Sequence, residues 1–90
     1  MKINVTAEDI LAGLRHNCSK CPIAIALKRA FKVKNVIVNT VAFWVECLEF
    51  RIHELDDDSN IISFIHDFDH AKPVKPFSFE IRIRFRRKDK

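Results

Sequence analysis

The spacing of apolar side chains switches along the chain between a period of two and a period of about 3.6, and each switch marks an element. Ile3 and Val5 alternate with polar neighbours and predict a short strand over Lys2–Val5. Thr6 then fits a helix N-cap, with Asp9 in the acidic third position of a variant capping box. Ala7, Ile10, Leu11 and Leu14 form an apolar stripe at helical spacing, so a first helix is expected to end near 15–17, weakened at Gly13. Pro22 suits the first turn of a second helix, where a missing amide hydrogen costs nothing. Over 22–32, Ile23, Leu27, Ala30 and Phe31 would face the core, and Lys28, Arg29 and Lys32 share the other side with Ile25.

From Val33 onward β-branched and aromatic residues dominate. Strands are expected at Val36–Val38 and 41–45, joined through Asn39 and Thr40, with strand character continuing over 47–54. Phe43, Val45 and Cys47 share one parity and Leu48, Phe50 and Ile52 the other, so a bulge or short turn is required near 47–48. Asp56, Asp57, Asp58, Ser59 and Asn60 read as a turn and helix start, because carboxylates suit unpaired amide donors and the positive end of the dipole. Ile61, Phe64, Ile65 and Phe68 follow as a helical stripe, with His66, Asp67 and His70 outside it. Beyond Pro73 and Pro76, Phe77, Phe79, Ile81, Ile83 and Phe85 alternate with Ser78, Glu80, Arg82, Arg84 and Arg86, predicting a strand with one buried and one basic face. The expectation is one α+β domain over 1–90 in the order β-α-α-β-β-β-α-β. Helices cover one face of a mostly antiparallel sheet, and 87–90 form a frayed tail.

Composition changes this picture little. Ninety residues, 48% hydrophobic with one Gly and three Pro, make a small foldable domain, and eight Phe and one Trp can fill its core. No stretch reaches the roughly 20 apolar residues of a membrane helix, and residues 1–20 lack a signal-peptide pattern. Three Cys cannot all pair within one chain, so free thiols and a cytoplasmic location are expected. Charge changes the picture more. Residues 15–45 hold six Lys and Arg and no carboxylate, whereas 46–71 hold eight carboxylates and one Arg. The last block, 72–90, is basic again. The net +4 therefore conceals segregated surfaces, which govern encounter and specificity more than affinity.

Candidate chemistry begins with His16, Cys18 and Cys21. The C-x-x-C spacing can place two sulfurs on one metal with His16 adding a nitrogen, but tetrahedral zinc needs a fourth ligand that no second motif supplies. A thiol-redox reading rests on Cys18 and Cys21 straddling a helix start beside Lys20, although a helix rather than a strand precedes them. Packing or capping at a helix corner needs neither chemistry. His66 and His70, four residues apart and next to Asp69, are a further metal pair without a motif partner. One glycine leaves no room for a phosphate-cradling loop, and nothing calls for a cofactor or a catalytic group. A binding surface is the better use of these residues. Arg82, Arg84 and Arg86 form a basic row that Lys28, Arg29 and Lys32 could extend, towards nucleic acid or an acidic protein face. The row's aromatics lie on the buried side and do not serve as base-stacking platforms.

The segments CSKCPIAIAL and FIHDFDHAKPVKPFSFEI resemble a group of small uncharacterised proteins of bacteriophages and bacteria. The matching positions are Cys18, Cys21, Pro22, Ile23, Ala24, Ala26 and Leu27, then Phe64, Ile65, Phe68 and Asp69, then Pro76, Phe77 and Phe79. The resemblance implies a phage-related accessory protein, and it carries no active site to transfer. The resulting expectation is a small non-enzymatic protein that binds a host or phage protein through a charged surface, away from membranes. Nucleic-acid binding through the Arg row is the alternative, and a zinc-stabilised or thiol-active protein a distant third. A homodimer would supply further burial.

Overall fold

The Thr6 capping box forms as the sequence requires: Thr6 Oγ1 accepts from Asp9 N at 3.2 Å, and Asp9 Oδ2 accepts from Thr6 N at 2.9 Å. The computed structural model describes residues 1–81. Their order is β1 (Lys2–Val5), α1 (Ala7–Ala12), α2 (Pro22–Phe31), β2 (Val36–Val38), β3 (Ala42–Val45) and β4 (Leu48–Arg51). A 3-10 turn (Ile52–Glu54), α3 (Asp58–Asp69) and β5 (Phe77–Glu80) follow. This is the α+β order expected from the periodicity.

Among the described residues the strands fall into two antiparallel sheets, β1-β5 and β2-β3-β4. In the first, Ile3 opposes Phe79 and Val5 opposes Phe77, bringing the two ends of the described chain together. In the second, Val36 and Val38 oppose Val45 and Phe43. The inner faces share one core, and the Phe43 and Phe79 rings meet across it with centroids 5.7 Å apart. Ile23 and Leu27 of α2 and Ile61, Phe64 and Phe68 of α3 close that core, as their stripes predict.

The change of parity near Cys47 has a simple cause. A two-residue turn, Glu46 and Cys47, connects Val45 directly to its partner Leu48, so Phe50 returns to face Phe43. Glu46 takes the left-handed φ of 58° there, as primed hairpin turns require at their first central position. The expected strand over 47–54 is correspondingly shorter, because Ile52–Glu54 winds into the 3-10 turn.

The first helix departs from its predicted stripe. It stops at Ala12, before Leu14, and Gly13 is extended rather than helical. Gly13 packs directly against the start of α2, where a Cβ would lie 2.5 Å from Cδ of Pro22, so only glycine fits there. Leu11 is 86% exposed, Leu14 49%, and Ala7 is exposed as well, leaving Ile10 to pack partly against the core. The residue that α1 buries is Asp9, 3% exposed and the sole charged side chain in the core among the described residues.

Asp9 is tolerated because it is fully paired. Arg29 Nη1 donates to Oδ1 at 2.7 Å and Nη2 to Oδ2 at 2.8 Å, a bidentate geometry that suits guanidinium and carboxylate. Arg29 Nη2 also donates to Asn4 O at 2.8 Å, so one side chain links β1, α1 and α2. Burial pushes the Asp9 carboxyl up, but hydrogen bonds from Arg29 and Thr6, with the Arg29 charge, outweigh it and hold Asp9 below the usual carboxylate range.

A carboxyl lowered on folding stabilises the fold above its unfolded pKa of about 3.9 and loses that contribution as pH falls through the folded value. Acid titration of thermal stability should therefore show a decline below about pH 4 that Asp9→Asn flattens. Arg29→Met should cost about 2–3 kcal/mol in urea unfolding, by leaving a buried carboxylate without its cation. Thr6→Ala should cost about 1 kcal/mol.

Candidate functional site

Two stretches far apart in sequence, 16–23 and 64–69, face each other across a cleft of about 290 Å³. Pro22, Ile23, Val38, Phe64 and Phe68 are its buried lining, and His16, Cys18, Asn39 and Thr40 are its exposed lining. Cys21 and Asp69 are half-buried between them. Cys18, Cys21, Pro22 and Ile23 thus share one cavity with Phe64, Ile65, Phe68 and Asp69, which their sequence separation conceals.

The loop before α2 is pinned from several sides. Leu14 N donates to Lys20 O at 2.8 Å, and Val38 N donates to Cys18 O at 2.7 Å, fastening the loop to the outer edge of β2. Asn17 Oδ1 accepts from both Ser19 N and Ser19 Oγ at 3.1 Å, an Asx-type turn. Lys28 Nζ donates to Ser19 O at 2.6 Å. His16, with φ of 56°, turns its amide to Asp69 Oδ1 at 3.0 Å, closing the loop onto the end of α3. The neighbouring Arg15 guanidinium lies 5.8 Å from the centroid of the Phe68 ring, within cation–π reach.

Cys21 is the N-cap of α2, its Sγ accepting from Ala24 N at 3.4 Å. Burial raises its thiol pKa, the amides of Ala24 and Ile23 pull it down without prevailing, and the nearby Asp69 charge adds to the rise. A helix start alone would favour a thiolate; half-burial overrides it here. Cys18, Cys21 and Cys47 are all free. Nor does the fold gather His16, Cys18 and Cys21 into a ligand set: no group of three or more His, Cys, Asp or Glu side chains is disposed to hold a metal among the described residues. His66 and His70 instead stack, with centroids 4.3 Å apart and Nδ1 of His70 2.8 Å from His66 O.

The predicted basic surface is redistributed. Arg29 is committed to Asp9 and Asn4, and Lys28 to Ser19, while Lys32 is exposed at the left-handed C-cap of α2. Arg82, Arg84 and Arg86, with Ile83 and Phe85, lie outside the described residues. The acidic block is engaged at several points: Asp58 Oδ1 accepts from Ser59 N at 2.7 Å, Asp67 lies 3.6 Å from His66, and Asp69 Oδ1 accepts from His16 N. Glu49 approaches Arg51 at 3.7 Å, Glu54 approaches His53 at 4.0 Å, and Glu46 Oε2 accepts from Asn35 N at 3.3 Å. Asp56 is exposed, and no ion pair involves it or Asp57 among the described residues. No helix among the described residues is long and apolar enough to cross a membrane.

Sequence reasoning missed the Asp9–Arg29 pair and the cleft because both join residues distant in the chain. No protein-family model, curated protein or solved structure matches the chain.

Timed alkylation read by mass spectrometry should modify Cys18 and Cys47 before Cys21 near neutral pH. The Cys21 rate should climb only above the ordinary thiol range, following its raised pKa. Early, selective labelling of Cys21 would contradict the capping role.

Proposed function

We propose that this chain is a non-enzymatic accessory protein that binds a partner protein through a charged surface, with the acidic residues past β4, over 54–58, as the contacting face. The observation that carries this reading is the exposure of the carboxylates just past β4, set against two helix cations that have internal partners. The α2 cations Lys28 and Arg29 are drawn into the chain's own hydrogen bonds, whereas Glu54 and Asp56 face solvent. The partner chemistry that fits is a basic protein surface, met by long-range attraction and sorted by charge pattern. The resemblance to phage-related proteins supports an accessory role towards a host or phage protein. Nucleic acid receives less support, since two of the three helix cations expected to enlarge the basic patch have internal partners.

Affinity capture with tagged full-length chain tests this. Partner recovery should fall at least tenfold with Glu54→Lys and Asp56→Lys together and persist with Lys32→Glu. Recovery unchanged by the acidic reversal would reject the acidic face. Low-salt binding to duplex or single strands that is lost on Arg82→Glu and Arg84→Glu would transfer the function to nucleic acid.

A further inference from the structure

The backbone of β4 carries an arrangement that the proposed function does not use. The Ile52 amide donates to Val41 O at 2.9 Å, which makes 41 and 52 a hydrogen-bonded pair. Bonded and non-bonded pairs alternate along an antiparallel ladder, so Phe43 with Phe50 and Val45 with Leu48 are bonded pairs as well. Ala42 with Arg51 and Trp44 with Glu49 are then non-bonded. The β2 side agrees, because Ala42 O accepts from Asn39 N at 3.1 Å and so points towards β2. The N–H and C=O groups of Glu49 and Arg51 therefore point away from β3, towards the open side of β4. Among the described residues none of these backbone groups has a hydrogen-bond partner. At the opposite edge, Val38 N is already taken by Cys18 O.

We infer that β4 is a self-pairing edge, and that its occupant is β4 of a second copy of this chain. Three antiparallel two-fold registers can use the outward groups. One sets Glu49 against Glu49 of the copy and another sets Arg51 against Arg51, and each places like charges directly opposite, which is destabilising. The third sets Glu49 against Arg51 twice, with Phe50 meeting its counterpart on the axis. Only this register satisfies all four outward backbone groups of each chain and pairs opposite charges. An isologous contact of this form closes on itself and yields a dimer rather than a fibre.

The side chains are free to take part. Glu49 and Arg51 are 42% and 55% exposed, and their contact within one strand is long, at 3.7 Å. Leu48 beside them is 44% exposed. Lone edge strands are usually blunted by charge, and here charges of opposite sign two residues apart select one antiparallel register. The product is a six-stranded sheet made from two copies of β2-β3-β4. Glu54 and Asp56 lie past the end of β4, so the proposed partner face appears twice in the dimer.

Sedimentation of the full chain over a range of concentrations tests this. Wild type should show a reversible monomer–dimer equilibrium. Glu49→Arg alone and Arg51→Glu alone should each weaken it at least tenfold while circular dichroism and thermal unfolding stay unchanged. Mixing the two variants in equal amounts should restore the dimer, since each then meets its complement, and the double swap should dimerise with itself. Amide exchange at Glu49 and Arg51 should slow as wild-type concentration rises. A wild type that stays monomeric at millimolar concentration would overturn the inference, as would single variants that dimerise as well as wild type. Partner capture by Glu54→Lys and Asp56→Lys reads the other face, so the two proposals fail separately.

Discussion

The ion pair between Asp9 and Arg29 is the constraint on which the arrangement of this small fold rests. A carboxylate that is 3% exposed survives in the core because a guanidinium grips both of its oxygens and a backbone amide completes the set. The same guanidinium reaches Asn4 O, so the first strand, the first helix and the second helix are held at one point. The pairing sets the rotation of α1, which is why Leu11 faces solvent while a charge faces inward. An apolar pair of similar volume could be as stable. What the charged pair adds is a directional requirement: α2 can lie only where Arg29 meets Asp9.

That requirement shapes the surface as well as the core. The sequence places six cations over 15–45 and eight carboxylates over 46–71, which alone suggests two opposed faces of similar strength. Folding engages Lys28 and Arg29 with a carboxylate and two backbone carbonyls, although Arg29 stays half-exposed. The acidic run has no comparable internal duty at Glu54 or Asp56. The charge asymmetry available to a partner differs in balance from the one the composition implies. Edge geometry adds a second layer at β4, where charges of both signs alternate with Phe50 along an open ladder.

Local signals were legible and distant ones were not. Thr6 with Asp9, Pro22 at the start of α2, and the stripes Ile23–Leu27 and Ile61–Phe64–Phe68 each depend on neighbours within a few residues, and each forms as expected. The parity change at Cys47 called for a bulge or a short turn, and the turn is what forms. The α1 stripe misled because the helix ends at Ala12, before Leu14, at a glycine that packs against the Pro22 ring nine residues away. The cleft was hidden for the same reason: Cys21 caps α2 and Asp69 ends α3, and only tertiary packing brings them to one cavity. C-x-x-C spacing suggested metal or redox chemistry, yet half-burial and the Ala24 amide give Cys21 a capping role.

The claim that a buried, guanidinium-gripped carboxylate organises the fold is tested most directly at Asp9 itself. Carbon-detected NMR titration of its side-chain carboxyl in the full-length folded chain should give a pKa below the usual aspartate value of about 3.9, and Arg29→Met should raise it. A carboxyl that titrates at or above that value in the wild type, unmoved by loss of Arg29, would contradict the account.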